Sequence, residues 1–353
     1  MLSVDEFLQR PGPILDVRSP AEFAQGHLPG ARSLPLFSDD ERAEVGTLYK
    51  HHGRDAAVEL GLERVGPKLV TFVRQAKAWA SAEGSDGQVR VHCWRGGMRS
   101  SSMAWLLETS GLSTAVLKGG YKAFRRWVRQ TLSTPKPILS LGGMTGTGKT
   151  LVLTALADQG QQVLDLEGLA HHRGSSYGNL CLPPQPTNEQ FENRVAAAWS
   201  RFDPQRPVWI EAESRRIGTC RVPDELFDQM MQAPVVQITR SPAERIGLLA
   251  EEYGDADPAD LVAATERIRK RLGGLRTQQA IDAIHRGDLQ TAIALVLSYY
   301  DKTYRYDLEQ RCAPIHVVDV TGLSPRQAAA RLRQAAESTD ATVPISDRVI
   351  KAG

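Results

Sequence analysis

Residues 138–150 constrain the fold of this chain more than any other stretch. Ile138-Leu139-Ser140-Leu141 is a short apolar run. Gly142-Gly143-Met144-Thr145-Gly146-Thr147-Gly148 is a glycine-rich loop, and Lys149-Thr150 leads into the apolar residues 151–156. Gly143 to Thr150 fits the pattern G-x-x-x-x-G-K-[ST], which carries meaning where a strand enters the loop and a helix leaves it. Glycines let backbone N–H groups approach phosphate oxygens, so Gly143, Thr145, Gly146, Thr147 and Gly148 are candidate phosphate-binding positions. Lys149 would neutralise the phosphates and Thr150 could hold Mg²⁺. The competing reading is a structural glycine-rich turn. The pattern leaves open whether the phosphate belongs to a nucleotide, a diphosphate ester or an RNA backbone.

The chain has 353 residues, which at about 150 residues per domain suggests two domains. Hydrophobic residues make up 41% and charged residues 24%, a soluble globular composition. No apolar run approaches the ~20 residues of a membrane span, and the N-terminus lacks the basic-then-apolar pattern of a signal peptide. A cytoplasmic location is expected, with no membrane partner. The formal charge of +2 does not announce a nucleic-acid binder, although local basic clusters could still bind one. Cys93, Cys181, Cys220 and Cys312 form no CxxC pair, so neither a zinc ribbon nor a thioredoxin motif is present. Cys181, Cys220 and Cys312 read as structural.

Ahead of the phosphate loop, short apolar strands alternate with helices, which indicates α/β architecture with a mostly parallel sheet. Strand candidates are residues 14–18, 89–92 and 115–117. Ser19-Pro20-Ala21-Glu22 is a helix start, with Ser19 as cap and Pro20 first in the helix. Asp16, Arg18 and His27 read as a polar cluster that fixes turns. Residues 39–82 read as helical. Val89-Arg90-Val91-His92 runs into Cys93-Trp94-Arg95-Gly96-Gly97-Met98-Arg99-Ser100, and a helix follows. A thiol at a helix N-terminus, among loop N–H groups and beside Arg95 and Arg99, is favoured as thiolate. The plain alternative is a small buried hydrophobe.

Beyond the loop, Val163-Leu164-Asp165 and Val208-Trp209-Ile210-Glu211 are strands ending in acids. Asp165, Glu211 and Glu213 are candidates for the Mg²⁺-polarising acid of such a site, with a surface salt-bridge cluster as the alternative. Arg173, in the polar loop of residues 166–178, and Arg240, after the strand 235–238, are candidate substrate contacts. His171-His172 suggests hydrogen bonding within that loop rather than a metal site, and no metal is firmly expected. Residues 257 onward are mostly helical. Basic residues around Arg267–Arg276 and tyrosines around Tyr299–Tyr306 would suit RNA, or equally a solvated face over a tyrosine core. The expected organisation is residues 1–130 as the first domain, a linker at 131–137, a phosphate-loop domain with helical extension at 138–337, and a loosely ordered tail at 338–353.

The ordered motifs D-V-R-S-P-x-E-F-x-x-G-H-L-P-G-A, V-H-C-W-R-G-G-M-R-S and L-K-G-G-Y resemble the rhodanese sulfurtransferase family over about residues 1–130. That resemblance implies a cysteine, here Cys93, that carries sulfur or selenium, with Arg95 and Arg99 as supporting cations. A departure is the long segment before the Cys93 strand, which suggests an insertion for a larger acceptor. Across the whole length, C-W-R-G-G-M-R-S, G-G-M-T-G-T-G-K-T, D-L-E-G-L-A-H-H-R-G-S-S-Y-G and W-I-E-A-E-S-R-R-I-G resemble the tRNA 2-selenouridine synthase family. This implies an enzyme acting on 2-thiouridine at the wobble position of the tRNAs for Lys, Glu and Gln. Selenophosphate would supply selenium, directly or from its synthase. Geranyl diphosphate would form an S-geranyl intermediate, its diphosphate expected on the Lys149 loop, and no prosthetic group is implied. The alternative is a rhodanese-type sulfurtransferase whose phosphate loop is regulatory.

Overall fold

The computed structural model describes residues 1–309 and 314–338. Cys312 and the expected tail beyond residue 338 lie outside the described residues. Two compact units emerge: Met1–Thr131 with Glu192–Ala197, and Leu132–Phe191 with the described residues from Ala198 onward.

The first unit is built on a four-stranded parallel sheet. β1 (Ile14–Asp16), β2 (Ala31–Ser33), β3 (Gln88–His92) and β4 (Ser113–Val116) lie in the order β2-β1-β3-β4. Parallel neighbours need crossovers. Helix Pro20–Gln25 joins β1 to β2, helices Asp39–Val65 and Leu69–Ala82 join β2 to β3, and helix Met98–Thr109 joins β3 to β4. Leu15, Val17 and Val91 pack against Phe72, Ala76, Met103 and Leu107 in its core, and Cys93 belongs to the same cluster.

The segment between β2 and β3 is helical, as its spacing predicts, but its first helix is broken. Gly53 takes φ 85° and ψ −171°, a region that essentially only glycine occupies. The break leaves two arms, residues 39–52 and 54–65. Ser38 caps the first arm, accepting from the Glu41 N–H at 3.2 Å.

At the C-terminal end of β1 lies a buried ion pair. Arg18 is 1% exposed and grips Asp16 through Nε at 2.9 Å and Nη2 at 2.6 Å. Its Nη2 also donates to the Gly26 carbonyl at 2.7 Å, and its guanidinium lies 3.8 Å from the Tyr121 ring centroid. Burial works against the Asp16 carboxylate, but His92 and Arg18 beside it outweigh burial and hold it below its ordinary value. Burial also pushes His92 down toward its neutral form, so the lasting countercharge is Arg18. Arg18 thus ties the ends of β1 and the following turn together, the structural role expected of the Asp16–Arg18 cluster. Removing one partner of a buried pair strands the other. Arg18→Met is therefore expected to cost about 3–5 kcal/mol, measurable as a lowered midpoint in chemical denaturation.

The helix Gly120–Ser133 runs through the first residues of the expected linker. Leu132 is buried, in step with Tyr121, Phe124 and Val128 along one face. Lys136 is also buried and donates to the Trp199 carbonyl at 2.9 Å.

The second unit carries a five-stranded parallel sheet. β5 (Ile138–Gly143), β6 (Gln162–Leu164), β7 (Val208–Glu211), β10 (Val235–Thr239) and β11 (Ile315–Asp319) lie in the order β11-β10-β5-β7-β6, while β8 (Arg216–Ile217) and β9 (Cys220–Arg221) form a small antiparallel hairpin. β5 and β7 are buried throughout, as strands covered on both faces are. The strand order reverses about β5, and the loop after such a strand opens at the crevice where α/β folds bind ligands. Four helices, Pro258–Arg267, Arg269–Leu272, Gly274–His285 and Leu289–Glu309, form the helical part. With the helix Pro242–Glu252 they enclose a core that includes Leu249, Tyr253, Leu261, Ile284 and Leu297. Tyr299 and Tyr300 pack against this core. No described helix is long and apolar enough to cross a membrane.

Candidate active site

Cys93 follows β3, at the start of a loop that ends at the N-terminus of helix Met98–Thr109. Its thiol is almost fully buried, with Sγ 3.2 Å from the Ser100 hydroxyl. Burial alone pushes the thiol up. The Ser100 hydroxyl and the backbone N–H groups of Arg95, Ser100 and Gly97 outweigh it, and the net shift is toward thiolate. Helix-terminal N–H groups acting on a thiol produce this effect.

The loop takes this shape because a second turn seats against it. The Tyr121 N–H donates to the Cys93 carbonyl at 2.8 Å, and the Lys122 N–H to the Trp94 carbonyl at 2.9 Å. The loop carbonyls are thereby turned toward the Gly119-Gly120-Tyr121 turn. Gly96 and Gly120 make the approach possible. A Cβ on Gly120 would stand 2.3 Å from the Cys93 carbonyl oxygen and 2.5 Å from the Gly96 nitrogen, and a Cβ on Gly96 2.8 Å from the Leu117 carbonyl oxygen.

Of the two arginines expected beside the thiol, Arg95 is exposed on the loop. Arg99 is already engaged, with Nη1 2.8 Å from Glu22. The positive field at Cys93 therefore comes first from backbone N–H groups and Ser100, and the Arg99 charge is largely offset by Glu22.

In the second unit the phosphate loop is braced from beneath. Lys149 Nζ donates to the Gly143 carbonyl at 3.0 Å. The Thr147 hydroxyl and N–H both donate to the Met144 carbonyl, at 2.8 Å and 3.2 Å, so Thr147 closes the turn instead of presenting a donor to an incoming phosphate. Arg240 donates through Nε to the Thr147 carbonyl at 3.1 Å and pairs with Glu244 at 2.8 Å. It holds the loop instead of projecting toward a substrate. Arg245, a residue without motif signal, does the same at Thr145, with Nε 2.9 Å from its carbonyl and a bidentate pair to Asp301. Pinning carbonyls outward leaves N–H groups turned inward, the arrangement an anion needs.

The acids divide into distinct roles. Asp165 caps the helix Leu166–Ala170, accepting the Gly168 N–H at 2.7 Å. It is a cap and not the acid nearest Thr150. That acid is Glu167, whose Oε2 lies 3.3 Å from the Thr150 hydroxyl. Burial and the neighbouring Glu213 push the Glu167 carboxyl up to about 8, against the pull of Lys149. Glu211, at the end of β7 beside β5, is fully buried. One of its oxygens accepts the Leu166 N–H at 3.3 Å and the other meets no hydrogen-bond partner among the described residues. Burial, with Asp165 and Glu167 nearby, raises Glu211 well above the usual carboxylate range. Glu213 is half-buried against Glu167. Arg173 pairs with Glu252 at 2.5 Å and donates to the Leu180 carbonyl at 2.8 Å, so it stabilises its own loop.

The remaining cysteines differ from one another. Cys220 is buried beside Gln185 and the Pro186 carbonyl, at 3.7 Å from each, and is structural. Cys181 is exposed and has φ 57°.

Two family models match in the order of the two units: a rhodanese-like domain over residues 3–126 and the tRNA 2-selenouridine synthase AAA domain over residues 136–323. Among curated proteins, the tRNA 2-selenouridine synthase of Marinobacter nauticus is 36% identical over 342 residues, covering 86% of this chain and 90% of that protein. That of Pseudomonas syringae pv. tomato is 37% identical over 340 residues, with the same coverage. That of Salmonella schwarzengrund is 36% identical over 337 residues, covering 86% and 91%. With a thiol loop on one parallel sheet, a phosphate loop on another and these matches spanning both, the chain belongs to the tRNA 2-selenouridine synthase family.

Proposed function

We propose that this chain converts 2-thiouridine at the tRNA wobble position to 2-selenouridine, with Cys93 as the residue that carries the chalcogen. The observation that supports it most is the Cys93 thiol, held among the N–H groups of Arg95, Gly97 and Ser100 and biased toward thiolate. The same cradle would stabilise a terminal selenide on Cys93. Alkylation of the uridine sulfur by geranyl diphosphate releases pyrophosphate and turns sulfur into a thiolate leaving group. Hydrolysis of selenophosphate releases phosphate and selenide, and selenide displaces a small thiol from its mixed disulfide with Cys93, forming the perselenide. The perselenide selenium adds at C2 as the geranylthiolate departs, and the small thiol then cleaves the S–Se bond, freeing 2-selenouridine and restoring the mixed disulfide. The acceptors are the tRNAs for Lys, Glu and Gln, read through their anticodon loops.

The Lys149 loop supplies a phosphate site, with Gly143, Thr145, Gly146 and Gly148 offering backbone N–H groups, while the Thr147 N–H is taken by the Met144 carbonyl. Among the described residues no three His, Cys, Asp or Glu side chains are arranged to hold a metal by themselves. A magnesium ion here would draw on Thr150 and Glu167 together with phosphate oxygens of the ligand.

Mass spectrometry of tRNA nucleosides from cells lacking this protein tests the reading. Wild type is expected to restore 2-selenouridine, and Cys93→Ala is not. Restoration by Cys93→Ala would remove the cysteine from the mechanism, and failure of wild type would remove the activity.

A further inference from the structure

We propose that the cleft between the two arms of the broken helix Asp39–Val65 binds a hydrocarbon chain carrying a phosphate or diphosphate head. This rests on the proposed alkylation of the acceptor, and it assigns the hydrocarbon to the first unit instead of the phosphate loop.

The cleft encloses about 760 Å³, within the ~300–1,000 Å³ typical of small-molecule sites. Phe37, Val45, Val58, Leu62, Val65 and Met98 supply apolar wall. Tyr49, Leu62 and Met98, also on this wall, are 60%, 68% and 50% exposed. Large apolar side chains left open together in one concavity mark a surface awaiting a partner. The charged lining has one sign: Arg42, Lys50, Arg54 and Arg99, with no Asp or Glu among the lining residues. Arg99 is committed to Glu22, and Arg42 lies 3.9 Å from the same carboxylate. Lys50 and Arg54 form no ion pair among the described residues, and they flank the Gly53 break. An apolar trough with unpaired cations at one end is complementary to an amphiphilic anion.

Its position suits the chemistry. Met98, Arg99 and Ser102 line the cleft from the first turns of the helix whose Ser100 meets the Cys93 thiol. An apolar cavity beside Thr145 of the phosphate loop offers about 40 Å³. That is room for roughly three waters, too little for a chain of ten carbons.

Titration calorimetry of the full chain with geranyl diphosphate, geraniol and inorganic pyrophosphate tests the assignment. Gly46 lines the cleft, and a Cβ there meets no atom within 4 Å, so Gly46→Phe adds a ring at the cleft wall with no clash at its Cβ. Gly46→Phe is expected to weaken geranyl diphosphate and geraniol binding at least tenfold with an unchanged melting temperature. The double variant Lys50→Glu/Arg54→Glu should weaken geranyl diphosphate tenfold and leave geraniol within twofold. Lys149→Ala should leave geranyl diphosphate affinity within twofold. Wild-type affinity in Gly46→Phe, or loss of binding in Lys149→Ala alone, overturns the assignment. So does tenfold weaker tRNA binding in the cleft variants with geranyl diphosphate unaffected, which would make the cleft an RNA surface. These binding results are separate from the nucleoside assay: absent 2-selenouridine defeats the proposed function, whereas intact binding in Gly46→Phe defeats only this site.

Discussion

Cys93→Ser is expected to reduce selenation of tRNA in a purified assay by at least about 10³-fold, the scale of losing a covalent catalytic group. Serine preserves the volume and can keep the hydrogen bond that the thiol shares with Ser100 at 3.2 Å. It cannot carry a terminal selenide, and an alkoxide is not reached at neutral pH under the influences that favour thiolate here. The fold should be untouched, because Tyr121 and Lys122 hold the loop through the Cys93 and Trp94 carbonyls. tRNA affinity is therefore expected within about twofold of wild type, and the melting temperature likewise. Turnover within tenfold of wild type would show that selenium reaches the base without Cys93. A milder companion is Ser100→Ala, which removes the hydroxyl leading the downward shift of the thiol. Its rate should recover as pH rises, whereas Cys93→Ser should not recover at any pH.

The second large effect is on stability against pH in the ligand-free protein. Glu167 has its carboxyl raised from 4.5 to about 8 by burial first and by Glu213 second. Below pH 4.5 it is protonated in both folded and unfolded chains and contributes no pH dependence. Between 4.5 and about 8 the unfolded chain has lost the proton while the folded chain keeps it. The unfolded state then binds fewer protons, so stability falls as pH rises across this window and levels off above it. The loss from this group is on the order of 5 kcal/mol. Glu167→Gln removes the titration, so the variant should be more stable than wild type at pH 8 and near it at pH 4.5. Glu213→Gln should shrink the slope by removing the neighbouring charge. Denaturant midpoints from pH 4.5 to 8.5 measure both, and a Glu167→Gln slope equal to that of wild type would place the titration elsewhere. Phosphate bound at Lys149 with magnesium at Thr150 would reverse the balance by favouring the charged carboxylate.

Much of this was legible in order along the chain. The run from Ile138 through Thr150 announced strand, loop and helix, and each appears where expected. The Cys93 loop and the L-K-G-G-Y turn were visible as separate motifs. That Gly96 and Gly120 exist for each other was not, because their contact joins backbone segments from opposite ends of a crossover. The roles of charged residues were less legible. Asp165 ends a strand in the position of a metal-polarising acid, yet its carboxylate is used by the next helix as a cap, and Glu167 faces Thr150. Arg173 and Arg240 carry the right charge for a substrate and are spent on Glu252 and on the phosphate loop itself. Arg245, buried under that loop, had no pattern around it. The length of the insertion suggested a larger acceptor, but the cleft depends on a break at Gly53 that a helical period cannot reveal.

What the sequence by itself determined is local: which stretches are strands and helices, where backbone N–H groups converge, and that a thiol and a phosphate loop share one chain. These follow from periodicity, glycine placement and short motifs, all encoded within a dozen neighbouring residues. Only the tertiary structure decided which charges remain available. Arg99 is neutralised by Glu22, 77 residues away, and Arg245 by Asp301, 56 residues away. A charge acts on whatever approaches within a few ångströms in a low-dielectric interior, and the packing of distant elements sets that neighbourhood.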